Sequence, residues 1–342
     1  MIFLNLPPGP SSTVTVKPLV CLLALAAWPV LAADSPATTK PKPQVFHDAA
    51  AAGRDYADQG EYINDWGGAQ VIALGNDQFR IVTLKGGLPG AGWDGTNRTE
   101  IAAKRTGDTI VGKRDNGWTY TVGGGEVKVT TDAGDTYLMK RIVRSSPTIG
   151  AKPPTDARVL FDGSDVAAWN GGKLIDFEGA KVLKCGTVTK DKFGSGTLHI
   201  EFFLPFKPYG RGQDRANSGV YLHDRYEVQV LDSFGLKGEN NECGGIYSIR
   251  KPNANLCLPP LVWQTYDIDY EEPVFGADGK KSSHARLTVR HNGVLVHERV
   301  EVPRPTAAAG DSGEKPGAGP IQLQDHGNPV YYRNIWFVPK SR

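Results

Sequence analysis

Two neighbouring runs, Asn217-Ser218-Gly219-Val220-Tyr221-Leu222 and Tyr226-Glu227-Val228-Gln229-Val230-Leu231-Asp232, hold the residues best suited to chemistry. Both read as strands joined by a short polar turn. Successive side chains of a strand point to opposite faces. Arg225, Glu227 and Gln229 therefore share one face, and Tyr226, Val228 and Val230 the other. An acid, an amide and a guanidinium side by side can move a proton and read hydroxyl groups. A plain alternative is a Glu227–Arg225 ion pair on a solvated face. A second run, Gly319-Pro320-Ile321-Gln322-Leu323-Gln324-Asp325-His326-Gly327, places Gln322, Gln324 and His326 on one face and Ile321 and Leu323 on the other. That parity makes His326 a second candidate for proton transfer.

Other polar residues fit around these two. Asn217 and Gln324 carry amides that read hydroxyls, and Tyr221 and Tyr247 offer aromatic faces to a sugar ring or simply pack in the core. Arg333 can hold a carbonyl oxygen or pair with Asp325. Asp232 and Asp325 sit at strand ends, where they can orient a base or cap a turn. Cys243 and Cys257 bracket a loop rich in Gly, Asn and Pro that a disulfide could close in an oxidising compartment, leaving Cys185 as a small core residue. No Cys or His spacing fits zinc. No cofactor is expected; a structural calcium held by the acidic loops is the alternative, though no spacing supports it.

The elements needed to position these residues are short strands. The chain has 342 residues, with 41 Gly, 24 Pro and only 2 Met, a balance that suits many strands joined by turns. A formal net charge of +2 without a long basic run argues against a nucleic-acid partner. Residues 1–33 read as an export signal: Lys17 precedes the apolar run 18–28, and small residues allow cleavage after Ala32 or Ala33. The run is short for a span of about 20 residues, so no membrane span is expected once it is removed, and the mature protein is expected in the periplasm or outside the cell. A Pro-rich linker covers 34–45. A small β-rich domain covers 46–145, opening with a helix-compatible stretch from His47 to Asp58. Its loop Gly86–Gly95 either presents Trp93 to a sugar or clamps it in the core. A second linker spans 146–157. The larger domain, 158–340, has poor helical periodicity and a hairpin signal at His291-Asn292-Gly293, which suggests a two-sheet sandwich or jelly roll. The insertion Arg304 to Gly317 reads as a surface loop.

The larger domain resembles the 3-keto-disaccharide hydrolase domain family. The matching segments stand in the family's order: Val159-Leu160-Phe161-Asp162-Gly163 with Trp169, the two central runs, Gly244-Gly245-Ile246-Tyr247, Trp263-Gln264-Thr265-Tyr266-Asp267-Ile268, Asn292-Gly293, the run 319–327 and Tyr332-Arg333-Asn334-Ile335. The resemblance implies an all-β fold, a concanavalin A-like jelly roll preceded by the smaller β-rich domain. It also implies cleavage of glycosides whose sugar carries a ketone at C3. Such a ketone acidifies the C2 hydrogen, so a base can remove it, the C1 substituent leaves and water adds back. The site then needs a base, an acid for the leaving oxygen and donors for the enolate oxygen. Glu227 and His326 are the expected proton-transfer groups, with Asn217, Tyr221, Arg225, Gln229, Asp232, Tyr247, Gln324, Asp325 and Arg333 around an oxidised sugar. The alternative is a carbohydrate-binding module on the same sandwich, which needs no proton-transfer group.

Overall fold

The structure, a computed structural model, describes residues 44–340. The expected export signal and nearly all of the first linker lie outside the described residues.

Eight antiparallel strands close into a barrel in simple up-and-down order: Gly60–Asn64, Gly67–Ala73, Gln78–Lys85, Arg98–Thr106, Thr109–Lys113, Thr119–Gly123, Glu126–Thr130 and Thr136–Ile142. The last pairs with the first, Glu61 opposite Ile142, so no edge is left open. Alternation decides the inside: Val127 and Val129 are buried while Lys128 between them is exposed. The strand Arg98–Thr106 was not expected, because its buried positions are only Ile101, Ala103 and Arg105 and its exposed ones are Glu100, Ala102, Lys104 and Thr106. Neither was Gly60–Asn64, which is short and polar. The helix spans Ala49–Asp58, capped where the Asp48 carboxylate accepts the Ala51 amide at 2.8 Å. With Phe206 it covers one end of the barrel, as Ala52 and Tyr56 pack onto the same core.

The second half is a sandwich. One sheet has five strands in the order Trp169–Asn170, Thr187–Thr189, Ile321–Leu323, Ser218–Leu222, Tyr226–Val230. The other has eight, with Tyr331–Pro339, Gly196–Phe203, Trp263–Glu271, Ala285–His291 and Val294–Val302 as consecutive neighbours. Val220, Val228, Ile321 and Leu323 from the first sheet meet Ile200, Phe202, Ile268 and Val289 from the second in one apolar core. The hairpin at Asn292-Gly293 forms as expected. Both residues have positive φ, 49° and 77°, the combination an Asn-Gly turn supplies at little cost.

Barrel and sandwich are joined along a continuous interface. Phe46 and Phe206 exchange backbone hydrogen bonds of 3.0 and 2.8 Å. Arg98 donates to the Gly235 carbonyl at 2.6 Å and Arg211 to that of Leu74 at 2.5 Å. Phe234 packs among Ile72, Val82, Leu84 and Leu88 of the barrel.

The segment expected as a second linker is a strap across the outer face of the larger sheet. The Ser146 and Thr148 hydroxyls bond that of Thr265 at 2.6 and 2.8 Å, and the Gly150 amide donates to Glu201 at 2.6 Å. The Ala151 carbonyl accepts from Asn334 at 3.0 Å and from Trp336 at 3.3 Å. Beneath it, Glu201 is buried and accepts the Arg333 Nε–H at 2.6 Å, while the Arg333 guanidinium lies 4.0 Å from the Trp263 ring centre. Burial pushes the Glu201 carboxyl up, but hydrogen bonds from His199, Asn334, Arg333 and the Gly150 amide outweigh it and hold the pKa at about 2. The stability this gives is complete above the ordinary value of 4.5 and is lost as pH falls from there toward 2. Glu201→Gln is expected to cost about 1.5–3 kcal/mol in chemical denaturation at pH 7, since a partly solvated Arg333 loses its counter-charge. The variant should also lose less stability than wild type between pH 4.5 and 2.

Candidate active site

The two sequence-predicted strands pair directly. Tyr221 stands opposite Glu227 and Gly219 opposite Gln229, and Tyr221 faces Gln322 on its other side. The apolar side chains of all three strands enter the core, so Tyr221, Glu227, Gln229, Gln322 and Gln324 share the outer face of the five-stranded sheet.

Glu227 is the centre of that face. Its side chain lies over Gly219: a Cβ built there would sit 2.2 Å from Glu227 Oε1. Any other residue at 219 would occupy the space of the carboxyl group. The Tyr221 hydroxyl donates to Glu227 Oε2 at 2.8 Å, and the Gln324 amide donates to the Tyr221 oxygen at 3.1 Å. The chain Gln324 to Tyr221 to Glu227 fixes one carboxyl oxygen and leaves the other above Gly219. Glu227 is 2% exposed, and burial raises its pKa from 4.5 to about 8 against the opposing pull of the Tyr221 hydrogen bond. Burial and the neighbouring Glu227 charge push the Tyr221 hydroxyl well above its ordinary range.

The ion pair that would have made Glu227 ordinary does not form. Arg225 bonds Asp311 at 2.9 Å and the Lys315 carbonyl at 3.3 Å instead. The insertion 304–317 is the expected surface loop, docked onto the hairpin by these contacts. Thr306 accepts the Glu227 amide at 3.1 Å and donates to the Arg225 carbonyl at 3.0 Å, and Glu314 accepts from the Tyr226 hydroxyl at 2.7 Å.

An amide cluster flanks the carboxyl. Asn217 donates to the Gln213 carbonyl at 3.0 Å and to its side-chain oxygen at 3.1 Å, and Gln229 donates to that same oxygen at 2.9 Å. Asn217 Oδ1 is buried and has no partner, which leaves an acceptor for a hydroxyl. Tyr247 is half-buried, and its amide donates to the Glu227 carbonyl at 3.1 Å. Gln213, Gly219 and Thr306 escaped sequence reasoning. Gln213 lies in a three-residue 3-10 turn and Thr306 in an irregular loop, neither with a periodicity to read, and Gly219 has meaning only beside its cross-strand neighbour.

Other expected residues are placed elsewhere. His326 and Asp325 are exposed on the loop after Ile321–Leu323, where Asp325 accepts the Gly327 amide at 2.8 Å. The strand is three residues long, so the parity that put His326 beside Gln324 no longer applies at 326. Arg333 is on the opposite sheet under the strap, paired with Glu201 and not with Asp325. Asp232 is buried in a bond of 2.7 Å from Arg215, a contact next to the barrel. Cys243 and Cys257 are brought together, but as free thiols and not as the expected disulfide. Each thiol has other partners: the Tyr266 hydroxyl at 3.1 Å for Cys243, the Leu231 carbonyl at 3.5 Å for Cys257. Trp93 is half-buried and nearer the clamped reading: its indole N–H donates to the Asn97 carbonyl at 3.1 Å, and it packs against the cluster of Ile72, Val82, Leu84, Leu88 and Phe234. Among the described residues no cluster of three or more His, Cys, Asp or Glu is arranged to hold a metal.

Comparison with known proteins agrees with this architecture. No curated protein matches the chain. A solved structure from Parabacteroides distasonis, named only as a candidate glycosyl hydrolase, is 37% identical, covers 55% of this chain and 85% of its own, and superposes with a TM-score of 0.50. A second from that organism, similarly named, is 21% identical over 54% of this chain and 99% of its own, with a TM-score of 0.38. The sequence profile of the 3-keto-alpha-glucoside-1,2-lyase-like domain matches residues 156–338, the whole of the sandwich with its polar sheet face. The chain belongs to the 3-keto-alpha-glucoside-1,2-lyase-like domain family.

Proposed function

We propose that the chain cleaves the glycosidic bond of a 3-keto-glycoside, by elimination followed by hydration, with Glu227 as the proton-transfer group. One observation carries the reading: a buried carboxyl without a cationic partner, oriented by Tyr221, with a pKa of about 8. A carboxylate of that basicity is far better matched to a C–H acid than an ordinary one. In the reaction, Glu227 Oε1 takes the C2 proton and the electron pair moves toward the C3 carbonyl, forming an enolate. The C1–O bond then breaks, the aglycone leaves with a proton and a C1=C2 double bond remains. Water adds its hydroxyl to C1 and gives its remaining proton to the group that protonated the aglycone, and the proton held by Glu227 returns to C2. Asn217 Oδ1 is the acceptor for a sugar hydroxyl, and Gln229 and Tyr247 flank the ring. His326, on the exposed loop beyond Gln324, is the proposed proton donor to the leaving oxygen on the solvent side.

The membership of the family and the 37% identical relative named as a candidate glycosyl hydrolase support bond cleavage at an anomeric carbon. The proposed compartment is outside the cytoplasm, resting on Lys17 and the apolar run that follows it. A carbohydrate-binding role on the same face is the second reading. It draws on the lack of any contact between Glu227 and His326, and on Asn217 Oδ1, which a lectin would use equally well.

Product release from 3-ketotrehalose separates the two. Wild type should release glucose, and Glu227→Gln should lose about 10²–10⁴-fold in kcat while still binding. Binding without turnover in wild type overturns the enzyme reading. His326→Ala should lower kcat most with poor leaving groups. The rate should climb with pH toward a plateau above about 8, since the carboxyl must be ionised to act as base. The Tyr221 hydrogen bond favours the ionised form, so Tyr221→Phe should move that limb to higher pH. Stability has the opposite sign: with its pKa raised from 4.5 to about 8, Glu227 favours the fold most below 4.5 and progressively less as pH rises through 8. Glu227→Gln should therefore be more stable than wild type at pH 9, on the order of 1–3 kcal/mol, by thermal unfolding.

A further inference from the structure

The barrel lies outside the matched domain, and its two ends differ. The helix and Phe206 cover one. The other opens into a cavity of about 470 Å³. Among its lining residues are Trp66, Trp118, Tyr120, Asn64, Lys85 and Arg114, and no Asp or Glu. Such a mouth on an eight-stranded barrel is wide enough for one small ligand.

Trp66 is 55% exposed, the most solvent-accessible of the exposed large aromatics among the described residues. The edge of one ring meets the face of the other where it contacts Tyr137, at 4.6 Å and 89°, which fixes its plane. Trp118 is held by a tight turn: the Arg114 amide donates to the Trp118 carbonyl at 2.9 Å, and the Trp118 amide to Asn116 Oδ1 at 3.2 Å. Rigid indoles beside amides and hydroxyls are how proteins stack on the C–H face of a pyranose. The charge is also selective. None of the barrel's ion pairs among the described residues uses Lys85 or Arg114, whereas Arg98, also in the lining, is committed to Glu100 and the Gly235 carbonyl. Asp65 and Asp115 adjoin lining residues in sequence but are not part of the wall, and Asp94 is taken up by its own turn, accepting the Thr96 and Asn97 amides at 3.0 and 2.8 Å. Two cations without an acidic partner, Lys85 and an Arg114 that bonds only the Tyr120 hydroxyl, line an acid-free cavity and favour an anionic group, and a carboxylate suits the guanidinium fork.

We infer that the barrel mouth is a second carbohydrate site, which takes a sugar ring bearing a carboxylate: the ring on Trp66 and Trp118, the carboxylate on Arg114 and Lys85. The site is separate from the Glu227 face and does not depend on its chemistry.

Isothermal titration of the full chain with trigalacturonate and with neutral maltotriose tests it. The acidic trisaccharide should bind at least tenfold more tightly than the neutral one. Trp118→Ala and Arg114→Gln should each weaken it tenfold or more, and Glu227→Gln should leave it unchanged. Trp66→Ala, at an exposed position where folding is not at risk, should weaken both sugars. No binding of trigalacturonate, equal binding of the two trisaccharides, or a loss that follows Glu227 and not Arg114 would each overturn the assignment.

Discussion

Glu227 is a carboxyl group taken out of water without a cation to receive its charge. In a buried position that is expensive, so burial favours the neutral form, while the sheet around the group fixes its orientation. Gly219 supplies the space, Tyr221 the hydrogen bond, and Gln324 the bond that aims Tyr221. Arg225, only two residues away, is drawn off by Asp311 on the docked insertion. Had Arg225 turned to Glu227, the carboxyl would have become an ordinary low-pKa ion. The insertion therefore contributes to the chemistry without touching the carboxyl, by occupying the one cation in reach along the hairpin.

The same molecule shows the opposite arrangement on its other sheet. Glu201 is equally buried, but Arg333, Asn334, His199 and the Gly150 amide surround it, and its pKa falls to about 2. One carboxyl is tuned as a strong ion that fastens the strap, the other as a weak acid. Burial is common to both, so the partners decide the outcome. This contrast is also why Arg333, a reasonable sugar ligand by its place in a motif, is a fastening residue in the fold.

The barrel is tied to the loops that flank the amide cluster. Arg211 and Arg215 lie on either side of Gln213, and both reach barrel carbonyls. Gln213 in turn fixes Asn217 and Gln229. The first domain thus helps to hold the loop that organises the polar face, a role its own sequence does not announce.

Strand parity made much of this legible in advance. Alternation of Tyr226, Val228 and Val230 against Glu227 and Gln229 separates core from site in any sheet, because the side-chain period is fixed at two. The all-β character and the Asn292-Gly293 turn follow from equally local rules, and the ordered motifs identify the family. Parity fails where strands end: His326 falls outside a three-residue strand, and its direction is set by the loop. The strand Arg98–Thr106 was missed because its inward row of one isoleucine, one alanine and one arginine leaves little hydrophobic pattern. Local sequence determines which face a residue occupies, since that depends on backbone geometry alone. Which partner a charge finds depends on residues far apart in the chain. Arg225 meeting Asp311, Arg333 meeting Glu201, and Glu227 meeting no cation at all were decided only when the sheets and loops came together.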